Sequence, residues 1–424
     1  MPRPTIGRPR RTITTTPGTR TSIMAIRTTT TRTTPLASVV SGDEIPQGLE
    51  NDLVDLTFEE VVAAYFDCRR TKRNSVHARV FEFNLEKNLF DLYEELLSGS
   101  YRIESSTAFV VERPKIREIW ASSFRDRIVH HVIYNRLSPR FYPSFIRNSF
   151  ACIPGRGTLD GSDRLWSGMR SITHNGRDRA YFLQGDVRNY FVSINKDILF
   201  RLLTPRIHEP WLLDLTTQVL FHDPRINCLC KSTPEEFSRV PRHKSLWNAP
   251  LSCGLPIGNL TSQFFANVYL HELDHFVKHA LKAKYYFRYV DDFVILDPCP
   301  ARLNDHFLRI SEFCTEKLAL ELHPFKKRIA PIDQGIDFIG FVHKPWFRRL
   351  RSRTAGKMAA IVKQWENDPA CYQPASLLKL RGSLNSYFGI ARSASTYRLR
   401  RRLGERVSSL FIAPDKGYTK VLIS

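Results

Sequence analysis

Two adjacent aspartates, Asp291 and Asp292, stand between two apolar runs in FRYVDDFVIL. Tyr285, Phe287 and Tyr289 alternate ahead of them, and Phe293 and Ile295 alternate behind. That period of two predicts a hairpin with an acidic tip. Neighbouring carboxylates repel each other unless a cation neutralises them. Asp is also common in solvated turns, so the pair alone is compatible with a plainer role. A third acid, Asp186, follows an apolar strand, Ala180 to Gly185, in YFLQGDVRNYF. If this strand neighbours the hairpin, three carboxylates meet at one sheet edge. Such a set suits Mg²⁺, which takes a few carboxylates together with phosphate oxygens and water. Two such ions, roughly 3.5–4 Å apart, clamp an in-line phosphoryl displacement. One activates a 3′-hydroxyl and the other stabilises a leaving pyrophosphate. Mn²⁺ is the expected substitute.

The chain around these acids has 424 residues, room for two or three domains. Its 63 Lys and Arg exceed its 42 Asp and Glu, a formal charge of +21. That excess favours a polyanionic partner, because each neutralised phosphate releases a counterion. Nucleic acid is the first candidate and an anionic membrane the second; a solvated basic surface is the plain alternative. No apolar run reaches the ~20 residues of a membrane span, and no signal-peptide core is present, so no membrane partner is expected. The eight cysteines form no CxxC pair. His222 and His243 flank Cys228 and Cys230, a conceivable zinc set whose spacing fits none of the usual patterns. Reduced thiols in a cytoplasm are the expectation.

Residues 1–45 are rich in Thr, Arg and Pro, carry no acid before Asp43, and are expected to be disordered. A basic arm, a late start at Met24 and an organellar transit peptide remain open for them. Helices are predicted over Phe58 to Phe66, Leu85 to Leu97 (stopped by Gly99) and Phe124 to Leu137. Tyr101 to Glu112 reads as a strand pair ending at Pro114. A helix should begin near Asn195, an N-cap residue. Residues 222–250 read as loop, and Gly254 to Gly258 as a glycine-bounded turn. A long helix is predicted from Thr261 to Leu281, with Phe264, Phe265, Val268, Leu273, Phe276 and Val277 as its buried stripe. The last ~80 residues read as mainly helical and basic.

Taken in order, these segments resemble the motif series of reverse transcriptases. FRDRIVHH and NSFACIPGRGT resemble the fingers blocks, and Asp186 with its following residues resembles the first palm motif. GLPIGNLTSQFFANVYL resembles the second palm motif, YVDD (289–292) the third, and LELHPFKKRI and GIDFIGF the next two. The resemblance spans residues 75–345. It implies an α+β right-hand polymerase: N-terminal helices and α/β fingers over 46–180, a palm with an antiparallel sheet over 181–345, and a helical thumb over 346–424.

The resemblance also implies roles. Asp186 and Asp291 would be the principal ligands of two metal ions, with Asp292 and the Val187 carbonyl beside them. Phe191, five residues after Asp186, matches an aromatic gate against a ribose 2′-hydroxyl. Lys115 and Arg117 match basic fingers residues that grip the incoming triphosphate, for which a guanidinium fork is suited. Lys326 matches a lysine held to protonate the pyrophosphate, with Lys327 able to substitute. Ile257, Gly258 and Gln263 would face the nascent base pair and template. Arg348, Arg349, Arg351, Arg353, Arg398, Arg400, Arg401 and Arg402 would track a heteroduplex backbone.

Within the family, Ile257-Gly258-Asn259-Leu260-Thr261-Ser262-Gln263 and SLNSYFGIARSASTYRL resemble the diversity-generating retroelement group. The tail shows no evident maturase, endonuclease or RNase H extension. That resemblance implies a bacterial or phage-encoded, cytoplasmic enzyme copying a template-repeat RNA, from a DNA or RNA primer and dNTPs, into cDNA mutagenised at adenines. It also implies a small basic oligomeric accessory protein. A defence enzyme of the abortive-infection or unclassified type is the nearest rival, with group II intron and retron enzymes behind it. A non-enzymatic RNA-binding descendant would have lost a carboxylate, gate or triphosphate residue; all are present.

Overall fold

The computed structural model describes residues 54–423, apart from 71, 73, 74 and 114. The disorder expected for 1–45 lies outside the described residues. The chain enters through three helices, α1 (Phe58–Arg69), α2 (Val76–Glu82) and α3 (Leu85–Leu97). Thr57 and Glu60 close a capping box on α1, and Gly99 lies beyond α3 with φ +68°. Next come β1 (Ser106–Val111), β2 (Arg117–Ala121), α4 (Phe124–Phe141) and α5 (Thr158–Ile172). The strand pair expected over Tyr101 to Glu112 is instead a single strand. Its antiparallel partner β2 follows later in the chain, with Phe109 opposite Ile119.

β3 (Tyr181–Asp186) leads into the short α6 (Tyr190–Ser193), then α7 (Lys196–Leu203) and α8 (Pro210–Phe221). Asn195 caps α7 as expected, its side chain accepting from Ile198 N at 2.9 Å. The segment read as loop contains β4 (Cys228–Cys230), which joins β1 in parallel, and α9 (Pro234–Ser238). α10 (Leu260–His275) ends earlier than expected, because the backbone widens into a π-helical turn over Phe276–Ala280. The stripe residues Phe264, Phe265, Val268, Leu273 and Val277 are nonetheless buried, and Phe276 is half-buried.

β5 (Tyr285–Tyr289) and β6 (Asp292–Asp297) form the expected hairpin, followed by α11 (Pro300–Leu318) and β7 (Arg328–Pro331). The central sheet runs β5-β6-β3-β7, antiparallel throughout. Alternation gives it two buried faces. Leu183, Tyr286, Phe293 and Ile295 join the large core shared with α10 and α11. Phe182, Phe287, Val294 and Leu296 join a second cluster with Leu165 and Met169 of α5. Helices on both faces therefore clamp the sheet, and its strand ends are held in fixed register.

The rest comprises β8 (Ile336–Phe338), β9 (Phe341–His343), β10 (Arg348–Leu350), α12 (Ser352–Glu366), α13 (Pro374–Ala391), α14 (Tyr397–Val407), β11 (Ile412–Pro414) and β12 (Val421–Ile423). Mainly helical, as expected, it has its own core of Met358, Val362, Leu380, Leu384, Phe388 and Leu403. Among the described residues no helix is long and apolar enough to cross a membrane.

Candidate active site

β3 and β6 pair so that Asp186 lies directly opposite Asp292. Val187 N donates to the Asp291 carbonyl at 3.1 Å, which fixes the third acid beside the other two. A loop from the far side completes the floor: His323 N donates to the Asp186 carbonyl at 2.8 Å, and Arg188 N to the Glu321 carbonyl at 2.8 Å. No hydrogen bond to the Val187 carbonyl occurs among the described residues. Two adjacent apolar strands thus bring Asp186 together with the Asp291–Asp292 pair, over a hundred residues further along the chain.

Crowding makes ionisation of Asp291 and Asp292 costly. Burial, and then the Asp186 carboxyl within hydrogen-bonding reach, push Asp292 up to about 7. Burial and the charge of Asp186 also raise Asp291. Two cations oppose this. Lys326 Nζ lies 2.7 Å from Asp186 Oδ1, and Arg117 is close enough to favour the charged form of Asp291. Lys327 faces elsewhere, with Nζ bonded to Asn304 Oδ1 at 2.6 Å and set over the Phe307 ring. The two lysines therefore have different surroundings.

Among the described residues, no group of three or more His, Cys, Asp or Glu side chains is already arranged to hold a metal ion. The Asp186 carboxylate is engaged with Lys326 and Asp292 instead. The donor chemistry still fits a hard cation: three neighbouring carboxyls, with Asp291 and Asp292 held toward their neutral forms, and a carbonyl free of hydrogen bonds. Mg²⁺ is held by one or two carboxylates plus substrate phosphates rather than by an all-protein cage, so a preformed cage is not required. The other conceivable metal set, at Cys228 and Cys230, has its two sulfurs 3.9 Å apart, and no cluster of potential ligands gathers around them among the described residues.

The GLPIG turn is fastened to β2. Trp120 N donates to the Ile257 carbonyl at 2.8 Å and Ser122 N to Asn259 Oδ1 at 3.2 Å. Gly258 adopts φ +140°, and a Cβ there would lie 2.8 Å from the Trp120 carbonyl oxygen, so this position requires glycine. Ile257 is half-buried, while Gly258 and Gln263 are exposed. Buried His130 joins both partners, with Nε2 3.0 Å from Ser122 Oγ and Nδ1 2.7 Å from Thr261 Oγ1. Phe191 is half-buried against the main core, and its carbonyl accepts from Leu255 N at 2.8 Å. Lys115 and Arg117 are exposed on the β1–β2 hairpin.

Several residues that matter here were not singled out from sequence. Arg288 is 1 % exposed and forms a forked pair with Asp274 at 2.6 and 2.7 Å. Tyr286 OH donates to Asp274 Oδ1 at 2.9 Å. A signal was available: Arg288 falls on the inward face of a strand whose neighbours are apolar, and a charge there needs a carboxylate partner.

The basic C-terminal set divides. Arg348 and Arg400 are buried. Arg348 donates to Ser162 Oγ at 2.8 Å and Arg400 to the Gly417 carbonyl at 3.0 Å. Arg351 pairs with Asp337 and Arg401 with Glu405. Arg349, Arg398 and Arg402 line an open groove of about 490 Å³ between β10, α12 and α14. Only part of the set can therefore meet a polyanion.

An acidic hairpin tip beside an acid-terminated strand, on an antiparallel sheet clamped by helices, is the layout of a polymerase palm. The chain belongs to the reverse transcriptase (RNA-dependent DNA polymerase) family, whose profile matches residues 111–343. It therefore has the right-hand polymerase fold expected from its motifs. It is 25% identical over 169 residues to an uncharacterized 91 kDa protein in a cob intron of Schizosaccharomyces pombe, covering 40% of this chain and 18% of that protein. It is 21% identical over 347 residues to Protein YkfC of Escherichia coli, covering 73% and 84% respectively. Among solved structures it is similar to telomerase from Candida albicans in complex with a fragment of telomeric RNA (TM-score 0.43, 11% identity, 78% of this chain and 59% of that one). It is also similar to apo telomerase from Candida tropicalis (TM-score 0.42, 12% identity, 57% and 53%).

Proposed function

We propose that this chain is an RNA-directed DNA polymerase that extends a DNA or RNA primer with dNTPs. The observation that carries the reading is the strand register that sets Asp186 against Asp292, with Asp291 tied to Val187. Asp186, Asp291, Asp292 and the Val187 carbonyl would hold two Mg²⁺ ions, or Mn²⁺ in their place. Bound there, the metals would supply activation of the primer hydroxyl and neutralisation of the pyrophosphate. The protein's own groups do the rest. Lys115 and Arg117 grip the triphosphate from the fingers hairpin. Phe191 crowds the sugar edge and excludes a 2′-hydroxyl. Lys326, exposed and charge-paired to Asp186, delivers a proton from Nζ to the leaving pyrophosphate. Ile257, Gly258 and Gln263 frame the nascent base pair.

The finer assignment is a diversity-generating retroelement enzyme, copying a template-repeat RNA with errors at adenine and working with a small basic oligomeric accessory protein. Ile257 and Gln263 support it: a looser fit around the templating base lowers the free-energy gap between right and wrong pairs. A defence, group II intron or retron enzyme is the competing assignment, and flanking template and variable repeats would decide between them. The test of the general reading is primer extension on an RNA template with Mg²⁺. Wild type should add dNTPs and Asp291→Ala should not. Equal extension by the two would end the reading. Ile257→Gln should change misincorporation opposite adenine, and an unchanged error spectrum would remove the finer assignment's physical basis.

A further inference from the structure

The hairpin tip must hold Asp291 in place, yet Val290, immediately before it, adopts φ +56°. Left-handed backbone is costly for a β-branched residue and persists only where the surroundings enforce it. The enforcing group is Arg288. Its Nη1 donates to the Val290 carbonyl at 2.9 Å, while Nε and Nη2 are spent on the two oxygens of Asp274 at 2.7 and 2.6 Å. Asp274 in turn belongs to α10, which follows the GLPIG turn.

The backbone of Arg288 carries a second connection. Arg288 N donates to the Asn148 carbonyl at 2.9 Å, and Phe150 N donates to the Arg288 carbonyl at 3.1 Å. The segment before α5 is thereby added to the edge of β5. Asn267 of α10 reinforces it, with Nδ2 donating to the Ala151 carbonyl at 2.8 Å. One buried side chain and its own peptide groups thus tie the fingers-side segment, the α10 helix and the acidic tip together.

Resting on the polymerase reading above, we propose that Arg288, held by Asp274, is a positioning residue for catalysis. It fixes the left-handed Val290 turn and so aims the Asp291 carboxylate at the reacting centre. A lysine cannot replace it, because one ammonium on a flexible stem lacks the fork that serves Asp274 and the Val290 carbonyl together. The charge would survive Arg288→Lys while the geometry of the turn would not. A salt bridge that merely stabilises the core predicts the reverse: lost stability with little change in turnover of the folded fraction.

The test compares Arg288→Lys, Asp274→Asn and Asp291→Ala in the full chain. Thermal unfolding, duplex binding, dNTP incorporation kinetics and Mn²⁺ binding by calorimetry are measured for each. Arg288→Lys should remain folded and bind primer–template within about threefold of wild type, with kcat down between about 10-fold and 100-fold and KM for dNTP little moved. Its Mn²⁺ affinity, read without turnover, should also fall, and Asp274→Asn should follow the same pattern. Wild-type kcat and Mn²⁺ affinity in folded Arg288→Lys would overturn the proposal. So would losses no greater than the unfolded fraction explains. Wild-type Mn²⁺ affinity and extension in Asp291→Ala would instead overturn the polymerase reading, and this proposal with it.

Discussion

Replacing Gly258 with Ala should damage nucleotide incorporation far more than folding. Two costs arise at this position. The backbone φ of +140° lies where an L side chain is strained, a penalty of about 1–3 kcal/mol. The new Cβ would sit 2.8 Å from the Trp120 carbonyl oxygen and 3.2 Å from Ile119 Cγ2. Backbone of a paired strand cannot yield as a flexible side-chain tip can. Relief would come from moving the turn and surrendering the Trp120 N to Ile257 carbonyl bond, a further ~1 kcal/mol. The sum, about 2–4 kcal/mol, falls on a local exposed turn rather than on the sheet. If the turn escapes into another conformation, kcat/KM for a single dNTP should drop between about 30-fold and 1,000-fold, at 1.4 kcal/mol per factor of ten. The melting temperature should move only a few degrees. Gly340→Ala is the matched control: its φ is +95°, but a Cβ there meets nothing within 4 Å. It shares the backbone penalty without the contact or the turn, so its incorporation kinetics should be close to wild type. A Gly258→Ala enzyme within about threefold of wild type would show that the turn does not frame the substrate.

Other expectations concern separate groups. Phe191→Ala should lower discrimination between dNTP and rNTP by about tenfold or more, measured as a ratio of kcat/KM values, and an unchanged ratio would remove the gate. Lys326→Ala should cut kcat by about 10²-fold with a smaller change in KM, whereas Lys327→Ala, whose ammonium faces Asn304 and Phe307, should stay within a few-fold. Equal effects of the two lysines would refute the assigned donor. Burial, with like charge from His131 and Arg127, pushes His130 down to about 3 from 6.5. The unfolded chain therefore takes up a proton below 6.5 that the folded chain refuses until near 3. Stability from this residue is complete above 6.5 and falls by about 1.4 kcal/mol per pH unit on acidification through that window. Denaturant unfolding of wild type and His130→Gln should show the acid-side slope reduced in the variant, and parallel slopes would contradict it.

What sequence could show depended on whether the deciding contacts were local. The β5–β6 hairpin and β3 were legible because alternation along one strand reports its own burial. Asp186 and the Asp291–Asp292 pair stood out because acids interrupt that alternation. Asn195 and Gly99 were legible for a similar reason, since a cap is chosen by the few residues beside it. The parallel pairing of β1 with β4 was not legible, because its partners, Ser106 and Cys228 among them, lie over a hundred residues apart and β4 is only three residues long. The end of α10 was misplaced because its apolar spacing continues to Val277 while the backbone has already widened. Arg348 and Arg400 were grouped with exposed arginines because charge type does not reveal burial. Only the tertiary positions of Ser162 and of the Gly417 carbonyl show that both guanidiniums are structural.

The electrostatics of the acidic edge connect the fold to its use. Burial and mutual repulsion hold Asp291 and Asp292 toward their neutral forms. Each helpful cation comes from a different element: Lys326 from the loop after α11, and Arg117 from the β1–β2 hairpin. Neither is buried enough to be locked in place. Moving the β1–β2 hairpin therefore changes the field at Asp291, and moving the loop changes it at Asp186. The triphosphate expected to draw Arg117 away would weaken its support of the Asp291 charge, so that acid would need positive charge from another source. A centre of this kind is completed by what it binds. It has carboxylates aligned by strand register, no closed cage among the described residues, and cations mounted on exposed segments. The buried parts of the molecule are those that set direction, the sheet register and the Arg288–Asp274 pair, while the cations that set charge sit on exposed segments.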